Sequence, residues 1–204
     1  MAVFLTLSLK LLAKKSLKMP NSKCRLFLGT GNTAIKHKQE KSVNMSMSNK
    51  IAKVLVIGGG ITSAVSTSIL SEKLGNNVQI TVWDKARGAG GRMSTSRSPG
   101  NPDCTADLGA QYISAKPEYF KRHEGIYQDL LSNKLIRKFD GVVANEHHSE
   151  GVIHYVATEG TASIVKHFFN KSGVNVNFGH HINHISITSD DKIQVSTQVS
   201  LNTF

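Results

Sequence analysis

Residues 51–60, Ile-Ala-Lys-Val-Leu-Val-Ile-Gly-Gly-Gly, run from a short β-branched segment straight into a glycine turn, and their reading decides the fold. Ile51 to Ile57 is largely apolar, as a strand buried in a parallel sheet requires. After Gly58, Gly59 and Gly60 comes ITSAVSTSILSEKLG, in which Ile61, Val65, Ile69 and Leu74 recur at helical spacing and Gly75 supplies a stop. A second strand is predicted from Val78 to Trp83, ending in Asp84.

Each part of this βαβ unit suits a dinucleotide. Gly58 permits the tight turn, and Gly60 lets the backbone approach a pyrophosphate. That anion then sits at the helix N-terminus, where free N–H groups and the helix dipole favour negative charge. Asp84 stands 24 residues after Gly60, where a carboxylate can accept hydrogen bonds from ribose hydroxyls. Ser63 replaces the third glycine of the G-x-G-x-x-G pattern, a change worth about 1 kcal/mol in helix–strand packing. A glycine-rich turn without a ligand is the competing reading, and the strand, helix and acid around it argue against that. The fold class expected is α/β: a Rossmann-like domain with a parallel sheet, followed by the start of a mixed α+β substrate domain.

Just past Asp84 lies a second glycine-rich turn, Gly88-Ala89-Gly90-Gly91-Arg92-Met93. An NAD dehydrogenase has no use for one here. A flavoprotein does, because a further loop covers the pyrophosphate and an arginine gives charge-assisted hydrogen bonds to phosphate. Alone, Gly90-Gly91-Arg92 would read as a surface turn. Asp107-Leu108-Gly109-Ala110-Gln111-Tyr112 comes next, at a distance suited to the flavin end.

WDKARGAGGRM (83–93), NPDCTADLGAQYI (101–113) and GTASIVKHFFNKSGVNV (160–176) resemble the renalase family of FAD-dependent, amine-oxidase-like flavoproteins. The resemblance runs from about Ala52 to Val195. It implies FAD as cofactor, with Gly58, Gly60 and Thr62 along its pyrophosphate and Asp84 on the adenosine ribose. Lys85, Gly91 and Arg92 are implied beside the same cofactor, Arg92 at the pyrophosphate. Gly109, Ala110, Gln111 and Tyr112 are implied near the isoalloxazine ring, and the backbone of Ile182 at the adenine. Structural readings compete at three positions: Tyr112 as a core aromatic, Lys85 as a solvated loop residue and Cys104 as a small buried hydrophobe.

The implied reaction is hydride transfer from dihydro isomers of NAD(P), or from amines as in the wider superfamily, to the flavin. Oxygen then reoxidises the flavin and yields hydrogen peroxide. No Ser/His/Asp or Cys/His arrangement suggests a covalent nucleophile, and no catalytic residue is singled out. After Val195 the resemblance fades, whereas the family fold is expected to continue. The alternative expectation is therefore a truncated, inactive chain that at most binds FAD or serves as an interaction module.

Composition narrows the partners. The chain has 204 residues and a net charge of +11, but residues 1–50 hold ten Lys or Arg against Glu40 alone, so +9 of it lies there. A basic tail rather than a basic face sets the charge, which argues against nucleic acid. No apolar run reaches about 18 residues, so no transmembrane helix is expected. Cys24 and Cys104 lack paired spacing, arguing against a disulfide framework or a zinc site.

Residues 1–48 read as a basic extension, with Lys10, Lys14 and Lys18 on one helical face and Leu5, Leu9 and Leu12 on another. This is transit-peptide composition or a dispensable tail. A cytoplasmic protein is expected, with a mitochondrial address as the alternative. Residues 49–204 are expected to form a partial FAD/NAD(P)-binding domain that includes the start of the substrate-side domain at about 115–160.

The rest of the chain predicts a helix from Pro117 to Leu135 and short strands at Val142-Val143 and Val152–Val156, facing each other across a polar loop. A helix from Gly160 to Gly173 is predicted next, then strand patterns at Val174–Phe178, Ile182–Ile187 and Lys192–Thr197. His180, His181 and His184 lie in a strand pattern without supporting Asp, Glu or Cys, so solvent-facing histidines are expected rather than a metal site.

Overall fold

The computed structural model describes residues 25–28, 51–143, 150–189, 192–197 and 201–203. Its organising element is a parallel sheet of β1 (Arg25–Leu28), β2 (Ala52–Ile57), β3 (Val78–Asp84) and β9 (Asn175–Phe178), in that order. Four residues of the basic extension thus pair with β2, Arg25 opposite Val54 and Leu28 opposite Ile57.

Alternation along the strands assigns the two faces of the sheet, because successive side chains point to opposite sides. Val56 of β2 and Ile80 and Val82 of β3 join a core with Ala64, Val65, Ile164, Val165, Phe168 and Phe169. These last belong to α1 (Ile61–Leu74) and α4 (Thr161–Ser172), which pack together on that face. Leu55 and Trp83 point the other way and meet Val195 in a second cluster. Val195 lies in β11 (Ile193–Thr197), which pairs antiparallel with β10 (Ile182–Ile187) and β12 (Leu201–Thr203).

The first helix starts and stops where the sequence places it, but its buried face differs. Ser63, Ala64, Val65, Thr67 and Ser68 are the buried residues, whereas Ile61 and Ile69 pack only partly. The small side chains let α1 approach α4 closely, and the hydroxyl of Thr67 donates to the carbonyl of Ala64 at 2.9 Å, so this buried hydroxyl is not stranded.

A hairpin of β4 (Thr95–Arg97) and β5 (Thr105–Asp107) comes after β3, and a three-stranded sheet is built as β6 (Ile113–Ala115), β8 (Ile153–Ala157) and β7 (Ile136–Lys138). The helix expected from Pro117 to Leu135 is two helices, α2 (Pro117–Arg122) and α3 (Glu124–Ser132), divided at His123, whose φ of −118° and ψ of 26° leave the helical range. The break lets Phe120 stack on Tyr127 at 4.9 Å while Tyr127 meets Tyr155 at 5.9 Å.

Val142 and Val143 are not a strand, and Val142 is 96% exposed. β8 instead finds its partners in β6 and β7, which offer complete antiparallel registers. Much of the loop expected between those valines and β8 lies outside the described residues. Cys104 is exposed on the β4–β5 loop rather than buried, and Cys24 lies outside the described residues.

Candidate functional site

The site begins where β2 ends. The N–H of Gly58 donates to the carbonyl of Trp83 at 2.7 Å, folding the first glycine turn onto β3. Gly60 precedes α1 without a side-chain cap, and no acid occupies the helix's first turn. The positive end of the helix dipole is therefore left for an anion. Thr62, the second residue of α1, is exposed beside it.

Asp84 stands at the carboxyl end of β3, half-buried, with both carboxylate oxygens engaged. Oδ2 accepts the N–H of Gly59 and Oδ1 accepts the N–H of Ala86 at 2.6 Å. The acid is thereby pinned against the turn. A Cβ on Gly59 would lie 2.9 Å from Oδ2, too close for any residue but glycine without displacing the acid.

The second glycine loop lies directly on the first. The N–H of Gly90 donates to the carbonyl of Gly59 at 2.9 Å, and Gly60 and Gly90 form a parallel bridge. A Cβ on Gly91 would sit 3.4 Å from Cα of Gly60. Met93 is buried beneath the loop, while Lys85, Arg87, Gly91 and Arg92 are exposed around it.

A third segment rests on the second. The N–H of Leu108 donates to the carbonyl of Ser94 at 3.0 Å, and the N–H of Ala110 to that of Arg92 at 2.9 Å. A Cβ on Gly109 would lie 2.2 Å from the Arg92 carbonyl oxygen, so this contact exists only because residue 109 has no side chain. Ala110 is buried and Gln111 exposed. Tyr112 is half-buried and meets His154 edge-on at 5.3 Å, and Nδ1 of His154 lies 3.0 Å from the Ser114 hydroxyl.

Ile182 belongs to the opposite face of the sheet, packed against the Leu55–Trp83–Val195 cluster. It is joined to the acid through His180, whose N–H donates to the Asp84 carbonyl at 2.9 Å and whose ring lies 5.3 Å from that of Trp83. His181 and His184 are exposed, and among the described residues no three His, Cys, Asp or Glu side chains come together as a metal site.

The structure thus brings Gly58, Gly60, Thr62, Asp84, Lys85, Gly91, Arg92, Gly109 and Ala110 into one succession of touching segments. Tyr112 and Ile182 stand at its margins. Sequence reasoning misses Gly59 and Gly90, whose glycine identity is demanded by close contact with Asp84 and with the Met93–Ser94 backbone. The glycine triplet 58–60 and the adjacent pair Gly90-Gly91 are the available signal. His154 and His180 give none, since His154 is placed by the pairing of β8 with β6 and His180 by the path of the chain between β9 and β10.

The family described as an NAD(P)-binding Rossmann-like domain matches residues 56–130. Mouse (Mus musculus) renalase is 37% identical over 147 residues, covering 72% of this chain and 43% of the relative. The chain therefore spans less than half the length of that relative. Among solved structures, the Diels-Alderase PyrE3 of pyrroindomycin biosynthesis superposes with a TM-score of 0.47 at 16% identity, covering 74% of this chain and 30% of that one. The tetracycline destructase Tet(51) superposes with a TM-score of 0.45 at 15% identity, covering 76% and 37% respectively. Among the described residues no helix is long and apolar enough to cross a membrane. With its βαβ unit, its glycine loops and the similarity to renalase taken together, the chain is renalase-like and built on a Rossmann-like dinucleotide-binding fold.

Proposed function

We propose that this chain is the cofactor-holding half of an FAD-dependent oxidoreductase of the renalase type. The observation that carries the reading is the stacking of three glycine-bearing segments, 58–60, 90–92 and 108–110, beside Asp84. A single nucleotide turn needs only the first. The second lies on the first and the third on the second, a succession of glycine-bearing backbone that a flavin joined to an adenine nucleotide would use.

In this reading Gly58, Gly60, Thr62, Gly91 and Arg92 hold the pyrophosphate and Asp84 orients the ribose, with Lys85 beside it. The backbone of Ile182 borders the adenine. Gly109, Ala110, Gln111 and Tyr112 support the isoalloxazine. FAD, when bound, supplies the hydride-accepting chemistry. The substrate proposed is a dihydro isomer of NAD(P): it gives up a hydride, and molecular oxygen takes up the two electrons with two protons as hydrogen peroxide. An amine donor is the wider alternative. The compartment proposed is the cytosol, with residues 1–48 as a mitochondrial address in the competing reading.

The test is peroxide release by the purified full chain, supplied with FAD and mixed dihydro isomers of NAD. Peroxide that depends on both additions supports the reading. Flavin bound without peroxide from either dihydro isomers or amines would remove the oxidase step and leave a cofactor-holding role.

A further inference from the structure

We infer that Asp107 is a positioning residue, fastening segment 108–112 to the amino end of α4 and so fixing the end of the site assigned above to the flavin ring. Its link to the ring rests on that flavin reading; its mechanical role does not.

Helix α4 begins after Gly160, which has no side chain to cap it. The missing cap comes from residues distant in sequence. One oxygen of Asp107, Oδ1, accepts the N–H of Thr161 at 2.9 Å, the hydroxyl of Thr161 at 3.1 Å and the hydroxyl of Thr95 at 2.6 Å. Oγ1 of Thr95 in turn accepts the N–H of Ala162 at 3.1 Å. The first two N–H groups of α4 are thus satisfied by the two strands of the β4–β5 hairpin, and a carboxylate placed there also meets the positive end of the helix dipole.

The packing leaves little room for adjustment. Thr161 is 1% exposed, and a Cβ on Gly160 would lie 2.5 Å from Oγ1 of Thr95. Behind its first turn, α4 is anchored in the core by Ile164, Val165, Phe168 and Phe169. The helix is the fixed body, and the hairpin is tied to it.

Segment 108–112 leaves the hairpin directly from Asp107. Leu108 and Ala110 donate their N–H groups to Ser94 and Arg92, two residues shortly before or adjoining Thr95. Thr95 and Asp107 are themselves opposite one another in the β4–β5 register. A shift of Asp107 off α4 would therefore carry Gly109 and Ala110 away from the second glycine loop. With Oδ1 already accepting three donors, Asp107 acts through these neighbours.

The experiment measures amide hydrogen exchange in the full chain carrying Asp107→Ala, Asp107→Asn or Thr95→Val. Asp107→Ala should lower protection of the Leu108 and Ala110 amides by about tenfold, the scale of losing a helix cap. The Ala64 amide, held by Gly60, should keep its protection. Asn retains an acceptor oxygen and should restore most of the loss; Thr95→Val should reproduce part of it, and stands in if Asp107→Ala does not fold. In parallel, FAD should bind Asp107→Ala about tenfold more weakly while ADP binds unchanged.

Unchanged protection at Leu108 and Ala110, an equal fall at Ala64, or no rescue by Asn would overturn the proposal. So would equal weakening of FAD and ADP. A wild-type chain that binds ADP but not FAD would remove the flavin reading alone, since the exchange measurement still decides the role of Asp107.

Discussion

The backbone N–H of Gly59 donates to Oδ2 of Asp84, tying the middle of the first glycine turn to the acid that ends the next strand. The acid is therefore part of the turn's own scaffold as well as the partner proposed for a ribose. Gly59→Ala drives a Cβ to within 2.9 Å of that oxygen and must displace it. Adenine nucleotide affinity should fall at least about tenfold, equivalent to about 1.4 kcal/mol, measured by titration calorimetry with ADP. Unaltered affinity would show that the position of Asp84 does not matter for binding.

Gly109→Ala tests the third segment. Its Cβ would meet the Arg92 carbonyl oxygen at 2.2 Å, so the two backbones must part. The expected cost is about 1–3 kcal/mol, the range for forced overpacking, read as a lowered midpoint of urea unfolding. FAD affinity should drop further than ADP affinity.

The contact between α1 and α4 depends on small side chains. Ala64 and Thr67 are fully buried there, so Ala64→Leu should destabilise by about 1–3 kcal/mol through overpacking. Phe168→Ala, 3% exposed in the same core, should cost about 3–5 kcal/mol through the opposite defect, a cavity. Thermal unfolding monitored by circular dichroism distinguishes both from the wild type.

Asp129 joins α3 to α4, with Oδ2 3.2 Å from Nε2 of His167 and 2.9 Å from Nζ of Lys171. Partial burial alone would raise its pKa, but the hydrogen bonds and positive charges of Lys171 and His167 outweigh it and hold the carboxyl below its ordinary value. Because the folded value is depressed, this carboxylate contributes stability above the unfolded carboxylate range. That contribution is lost as pH falls through the folded value. Asp129→Asn should lower stability near neutral pH and flatten its decline on acidification below the carboxylate range. An unchanged acid limb in urea unfolding would refute the assignment.

The order and bounds of the first βαβ unit are legible in the sequence because its signals are local. An apolar run, a glycine turn, a helical period and a terminal acid each act within a few residues of themselves. The second and third glycine segments can be recognised from their spacing and resemblance, but not their mutual contact, which is created by the path of the chain through β3 and the hairpin. The division of Pro117–Ser132 at His123 is hidden because the aromatic stripe continues through the break. The buried face of α1 departs from its apolar period for a related reason. Periodicity marks large apolar residues, whereas close helix packing selects Ala64, Thr67 and Ser68. The cap of α4 by Asp107 spans 54 residues and leaves no local trace.

Whether these loops hold FAD is decided by the visible absorbance spectrum of the purified full chain after incubation with FAD and removal of the excess. Flavin bands are expected at about one cofactor per chain, the occupancy of a single site, strongly reduced by Gly59→Ala. A folded chain that stays colourless, with the wild type no different from that variant, would contradict it.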